Sequence, residues 1–343
     1  MLTTLEARGI PAVAVTARSP GPRRSPELPT VGLDSAPFLV NLCYVSGDGM
    51  RGLIRQAGGL LFPRRYSIGV WWWEVAPAPA RWANAARYLE EIWVSSDHVR
   101  GAIAPVVPIP VAKLPQAVPE PRTTAVTRQE LGLPDGFVFY SAFDHASGFA
   151  RKNPLGLVEA FRRAFTDGSG PQLVIRSINA RHEPANHTDL RRGAAGRSDI
   201  HIQDRYLATE LKNAMLSHCD CYVSLHRAEG FGLPLAEAMR LGKPVVATAW
   251  SGNLEFMTPS NSYLVRHTMS QVGPGSWPYP ARGKWAEPDI DDAARLLRTV
   301  FEDPESAAAR GQRAARDLAQ RHDPRCVGAV VDARLSDIQR RIL

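Results

Sequence analysis

From about residue 127 onward, short apolar runs alternate with stretches of helical periodicity. Thr127 and Glu130 have the spacing of a capping box and open a short helix, and FVFYSAF at 137–143 is an apolar run of strand length. The pattern then predicts a helix over 154–166, capped by Asn153 with Pro154 in its first turn, and a strand over 172–178. A helix over 207–218, a strand over 220–225, a helix over 233–241 and a strand over 244–248 follow. Strands that alternate with helices in this way build a parallel sheet covered on both faces. Beyond 289 the chain reads as three helices, DDAARLLRTVFE, SAAARGQRAARDLAQR and CVGAVVDARLSDIQRRI.

The first hundred residues repeat the rhythm more loosely. PAVAV, PFLVNLCYV, YSIGVWWW and EIWVSS read as strands between Gly-, Pro- or Arg-rich segments. The chain opens in a helix-like segment, LTTLEARG, that leads straight to a strand at 11–15, so an opening strand and its loop are expected to be missing. Pro105, Pro108, Pro110, Pro115, Pro119 and Pro121 mark a boundary that is neither helix nor central strand. Two α/β domains are expected, at 1–116 and 117–320, followed by a last helix at 321–343.

Charge and composition narrow the class. With 41 Lys and Arg against 34 Asp and Glu, a net +7, the chain is mildly basic and no nucleic-acid partner is expected. At 44% hydrophobic and 22% charged it is neither disordered nor collagen-like. No apolar run approaches the roughly 20 residues that span a bilayer. Glu6 and Arg8 interrupt the stretch where a secretory signal needs apolar residues, so a cytoplasmic protein is expected. Arginines far outnumber the lysines, which are Lys113, Lys152, Lys212, Lys243 and Lys284, and such a surface can attract anionic lipid at the inner membrane face. Cys219 and Cys221 are expected as buried thiols sharing one face of a strand.

The chemistry concentrates in HRAEGFGLPLAEAMRLGKPVVATAWSGNLEF, from His226 to Phe256. Seven residues separate Glu229 from Glu237, with Gly230, Gly232 and Pro234 among them and a helix starting near Leu233. A helix N-terminus offers unpaired N–H groups and a positive dipole end to a phosphate, at the sheet edge where open α/β folds bind ligands. Flanking carboxylates accept hydrogen bonds from ribose or sugar hydroxyls. The same spacing equally fits an ordinary capped helix with one surface glutamate. Two other patterns carry less. GDGMRG at 47–52 fits a dinucleotide fingerprint with Glu74 about 20 residues further on, but Gly58, Gly59 and Pro63 are expected to interrupt the helix it should open. Asp289 and Asp291 form D-x-D, which helix capping explains.

EGFGLPLAEAM with SLHRAEG before it and GKPVVATAWSGNLEFM after it, together with FDHASGFARKNPLGLVEAFRRAF at 143–165, resembles the group 1, family 4 glycosyltransferases. GVWWWEVAPAPARW and EIWVSSDHV resemble their N-terminal domain more loosely. The resemblance implies a GT-B fold, two Rossmann-like domains facing a cleft, with the last helix crossing back to the first domain. It implies transfer of a hexose, with retention and without a metal or other cofactor, from a nucleotide-diphosphate sugar to a hydroxyl acceptor: a glycan, a lipid-linked sugar or a small molecule. Polysaccharide biosynthesis is the expected setting, and a truncated, non-catalytic nucleotide-binding protein is the alternative.

Carried onto this chain, the resemblance implies that Glu237 holds the ribose and Glu229 the transferred sugar. Backbone N–H groups of Phe231, Gly232 and Leu233 would hold the distal phosphate or sugar, and Lys152 would neutralise the pyrophosphate. Many relatives have a Gly-Arg pair where this chain has Phe143 and Asp144, so Arg151 is expected to substitute and the Asp144 carboxylate to turn to the backbone at Ser147 and Gly148. The resemblance also puts the turn of His226 and Arg227 near the donor sugar, and Ser251, Gly252 and Asn253 are expected to open a second helix beside the phosphates. IQDRY at 202–206 matches the loop that lies over the nucleobase in relatives. Trp73 and Glu74, at the end of the WWWE strand, are acceptor-side candidates, since indoles stack on sugars; an aromatic core cluster is the other reading. His98 is a further candidate for donor contact. Oligomeric state is not set by these residues.

Overall fold

The structure is a computed structural model and describes residues 1–15, 32 and 35–342. The chain forms two compact units, Met1–Ala117 with Pro324–Leu343, and Val118–Asp323.

The first unit runs α1 (Leu2–Glu6), β1 (Val40–Cys43), α2 (Gly47–Leu61), β2 (Tyr66–Val70), α3 (Trp82–Ala86), β3 (Glu91–Val94), α4 (Asp97–Ile103) and β4 (Val111–Lys113). Its strands form one parallel sheet in the order β1-β2-β3-β4. The expected strand at 11–15 is a single bridge residue, Ala14. β4 lies inside the proline-rich stretch, and its edge position tolerates neighbours that cannot donate to the ladder. α2 is not interrupted at Gly58 and Gly59: it buries Met50, Leu53, Ala57 and Leu61 along one face. That packing outweighs the roughly 1 kcal/mol of helix propensity lost at each glycine.

The second unit begins with α5 (Arg128–Leu131), whose Thr127–Glu130 capping box is formed, and β5 (Val138–Asp144). α6 (Phe149–Lys152), α7 (Pro154–Ala164), β6 (Gln172–Ile178), α8 (Pro184–Ala194), β7 (Ile200–Asp204), α9 (Thr209–His218) and β8 (Cys221–Ser224) follow. Then come α10 (Leu233–Arg240), β9 (Val245–Thr248), β10 (Tyr263–Val265), β11 (His267–Gln271), β12 (Lys284–Pro288), α11 (Ile290–Glu302) and α12 (Pro304–His322). α13 (Pro324–Ile342) closes the chain and belongs to the first unit.

Six strands of the second unit form a parallel sheet ordered β10-β9-β8-β5-β6-β7, with β11 and β12 as a separate antiparallel pair. From β5 the chain builds outward through β6 and β7, then returns to β8 on the other side of β5 and builds outward again. Loops leaving β5 and β8 therefore diverge at a topological switch point, where such sheets bind ligands.

Side chains alternate across this sheet as strand geometry requires. Phe139, Phe161, Ile175 and Val223 join the core on one face, and Tyr140, Val174, Met239 and Val245 join the core on the other. Cys219 and Cys221 fall into opposite cores, contrary to the expectation of a shared face, because Cys219 caps the end of α9 and precedes the strand. Both thiols are buried, and burial pushes Cys219 up to about 12. In the first unit, α1 and α13 close a core of Leu5, Ile68, Trp93, Val327, Val331 and Ile338. No described helix is long and apolar enough to cross a membrane.

Candidate active site

The loop after β5 turns at Gly148, whose φ of +91° suits a residue without Cβ, and enters the single turn of α6. Asn153, at φ +52°, ends that turn and starts the next helix: its Oδ1 accepts from Gly156 N at 3.2 Å. Its Nδ2 donates to the Leu225 carbonyl at 3.0 Å, which ties the β5 loop to the β8 loop. Arg151 and Lys152 are thereby set on the floor of the switch point. Arg151 is buried, donates to the carbonyls of Ser147 and, at 2.8 Å, Ala228, and lies 3.3 Å from Glu229 Oε1. Lys152 Nζ donates to the same Oε1 at 2.5 Å.

Burial alone would raise the Glu229 carboxyl. The Lys152 and Arg151 charges, with His226, outweigh it and hold the group down at about 2. Glu229 is therefore a fixed anion at neutral pH. Its backbone is fixed as well: its N–H donates to Ser251 Oγ at 2.8 Å, and its carbonyl accepts from Gly252 N at 2.9 Å. A Cβ on Gly252 would lie 2.0 Å from the Gly230 carbonyl oxygen, so only glycine lets the two loops approach this closely.

Several residues expected at the donor also build the wall that supports Glu229. Ser251 Oγ and the Gly252 N–H serve Glu229. Asn253 is buried and donates to the Thr248 carbonyl at 3.0 Å. His226 is buried between Ser224 Oγ at 3.1 Å and Asn253 Oδ1 at 3.2 Å, and burial pushes its pKa down. The expected second helix is a four-residue 3-10 turn, Gly252–Glu255, too short to present a helix N-terminus to a phosphate.

Gly232, at φ +88°, caps α10, and Pro234 brings no N–H to its first turn. The Phe231 ring is buried against Phe256 and His322, so what Phe231 offers a ligand is its backbone. Leu233 is exposed. Glu237, one turn into the helix, pairs with Lys212 of α9 at 2.6 Å. Burial and the neighbouring Tyr140 push the Tyr222 hydroxyl up, and the charges of Glu229 and Glu237 add to it. Ser141, Lys152, Tyr222, Glu229, Gly232 and Pro234 line one pocket.

Sequence reasoning missed Lys212 and Glu287, and it placed Arg227 near the donor without its partner. Lys212 stands on a helix with no motif. Arg227 and Glu287 form a two-pronged ion pair at 2.6 and 2.8 Å. Arg227 also donates to the Ala150 carbonyl at 2.5 Å, its N–H reaches the Arg151 carbonyl at 2.7 Å, and its guanidinium lies over Trp285 at 5.4 Å. No local signal could have linked charges 60 positions apart.

Two further expectations are corrected. Asp144 turns to Ala146 N at 2.9 Å and Asn179 Nδ2 at 2.8 Å, not to the backbone of Ser147 and Gly148, because the 3-10 turn at 145–147 presents Ala146 N to it. Trp73 is buried edge-on against Trp82, with ring centroids 5.1 Å apart, so it is core and offers no stacking face; Trp72 is the exposed indole. The Glu74 carbonyl is held by His98 Nε2 at 2.8 Å. Asp289 caps α11 by accepting from Asp292 N at 3.0 Å. Among the described residues no cluster of three or more His, Cys, Asp or Glu could hold a metal.

Residues 147–317 match the family described as Glycosyl transferases group 1. The fold is similar to that of HepE from Anabaena in complex with UDP and glucose, at 17% identity and a TM-score of 0.65, covering 87% of this chain and 78% of that one. It is similar also to sucrose-phosphate synthase from Thermosynechococcus elongatus, at 14% identity and a TM-score of 0.66, covering 89% and 74%. The pneumococcal O-GlcNAc transferase GtfA in complex with UDP and GlcNAc gives 14% identity and a TM-score of 0.60, covering 88% and 57%. Comparison with curated protein sequences gave no match.

Proposed function

Since the chain belongs to the group 1 glycosyltransferases and has the GT-B fold, we propose that it moves a hexose from a nucleotide-diphosphate sugar to a hydroxyl acceptor, with retention of configuration and without a metal. The observation that carries this reading is the convergence of Lys152 and Arg151 on Glu229 at the switch point, beside the capped start of α10. Lys152 and the N–H groups of Phe231, Gly232 and Leu233 take the diphosphate and stabilise the charge that grows on it as the anomeric bond breaks. Glu237, its carboxylate steadied by Lys212, accepts from the ribose hydroxyls.

Glu229 is held at about 2, far from the range in which a general acid or base works at neutral pH. Its part is to accept from sugar hydroxyls and to offset positive charge on the ring. The acceptor oxygen attacks the anomeric carbon on the face the diphosphate leaves. The departing phosphate oxygen takes the acceptor proton, so one C–O bond forms as the other breaks. Cytoplasmic action on a glycan, lipid-linked sugar or small molecule, as in polysaccharide biosynthesis, suits this chemistry. The UDP held by HepE and by GtfA makes UDP-sugars the first donors to test. An intact Lys152–Glu229 pair favours an enzyme over a nucleotide-binding remnant.

Incubation with UDP-, GDP-, ADP- and dTDP-glucose, following free diphosphate and the anomer of released glucose by NMR, tests the proposal. One donor should be cleaved, with the donor's own anomer appearing first, and Lys152→Ala should slow cleavage by about 100-fold or more. Release of the opposite anomer would contradict retention, and an unchanged rate in the variant would contradict the role of Lys152.

A further inference from the structure

The β11–β12 hairpin has no part in the reaction derived above, yet it is built onto the site. At its base, Glu287 pairs with Arg227, Trp285 lies under that guanidinium, and Ala286 N donates to the Arg227 carbonyl at 2.9 Å. Beyond the paired strands the ladder continues, with Val272 N to the Gly283 carbonyl at 2.8 Å and Gly273 N to the Ala281 carbonyl at 3.0 Å. A turn then closes from Tyr279 N to the Ser276 carbonyl at 3.0 Å, so the tip is ordered by its own backbone.

That tip reaches the loop that carries Lys152. A Cβ placed on Gly148 would stand 3.7 Å from Tyr279 Cε2, so the tyrosine ring packs beside the turn that starts α6. Two residues away, Trp277 is 86% exposed, the highest value among the exposed large apolar side chains. No Asp or Glu occurs from Phe256 to Ala286. An indole held in water on a braced turn, next to a sugar-transferring centre, has the makings of a stacking platform. It presents a flat apolar face, a polar edge and few rotamers to immobilise.

We propose that this tip is a carbohydrate subsite, in which Trp277 stacks on a pyranose ring of a glycan acceptor and Tyr279 sets its distance from the reacting centre. The proposal rests on the transferase reading. A membrane anchor is the competing use of an exposed tryptophan near Arg282 and Lys284. It is disfavoured because the rest of the turn is Ser276, Pro278 and Pro280 with a half-buried Tyr279, which gives one large side chain to insert where membrane binding draws on a broad apolar face.

The test uses the full chain and its Trp277→Ala and Trp277→Tyr variants on a printed array of glucose-, galactose-, mannose- and N-acetylhexosamine-containing oligosaccharides, with and without UDP. The proposal expects wild-type retention on a defined set of glycans, at least a tenfold loss in Trp277→Ala and partial recovery in Trp277→Tyr. Melting temperature and any diphosphate-induced shift should be the same in all three proteins. Equal glycan retention by Trp277→Ala, or no retention by the wild type, would overturn it. So would co-sedimentation with phosphatidylglycerol vesicles that the alanine variant loses while its glycan binding persists. A wild type unmoved by UDP, GDP, ADP or dTDP would instead count against the donor site, and the array without nucleotide would still decide the subsite.

Discussion

Glu229 is 8% exposed and still ionised because two cations reach one of its oxygens. Its folded value of about 2 lies below the ordinary 4.5, so the pairing stabilises the fold above pH 4.5, and that contribution is lost as pH falls toward 2. Glu229→Ala removes the carboxylate on which buried Arg151 and half-buried Lys152 converge, and should cost about 3 kcal/mol at pH 7. Urea unfolding of both proteins checks this, and the gap between them should narrow between pH 4.5 and pH 2. Gly252→Ala would force the Gly230 backbone, and with it Glu229, out of place. It should weaken diphosphate binding about tenfold or more while costing stability on the order of 1 to 3 kcal/mol, read by calorimetry and by melting. The glutamates, the lysine and the glycine turn were legible as a motif. What Ser251, Gly252 and Asn253 do was not, because their partners are set by the approach of two loops and not by spacing along the chain.

At the scale of elements, the Arg227–Glu287 pair joins the hairpin to both loops that carry the charged centre. Glu287→Ala removes the brace without touching the pocket lining. It should slow donor cleavage about 10- to 100-fold, as small misplacements of reacting groups do, with Glu287→Asp recovering part of the rate. Similar rates in all three proteins would show that the hairpin does not position the site. β5, β6, β8 and β9 were readable because apolar runs of strand length end at caps, Gly or Pro. β7 was not, since IHIQD is half polar and only Ile200 is buried. α8 buries only Leu190 and Ala194, and the hairpin is interrupted by the Gly- and Pro-rich tip at 273–283. The run of α2 through two glycines was misjudged because tertiary packing, not propensity, holds it.

For the molecule as a whole, the last helix completes the first unit. Val327, Val331 and Ile338 join its core, and Arg334 reaches Glu91, a carboxylate 1% exposed that also accepts from Trp93 Nε1 at 2.8 Å. Arg334→Ala should destabilise the first unit by about 3 kcal/mol, the lower end for a broken buried pair because Arg334 is partly exposed. Limited proteolysis should then cut within the first unit and spare Val118–Asp323. The alternation of strands and helices made the α/β architecture legible from sequence. The pairing of β5 with β8, which creates the switch point, was not, because strand order is decided by long-range packing.

The central claim is a nucleotide-sugar donor site built on Lys152, Glu229 and Glu237. Thermal shift of the wild type, Lys152→Ala and Glu237→Ala with UDP, GDP, ADP and dTDP tests it most directly, since a ligand at 100 times its Kd adds about 2.7 kcal/mol of stability. One diphosphate should raise the wild-type melting temperature, and both variants should lose the shift. No shift with any diphosphate, or an equal shift in the variants, would contradict the donor site.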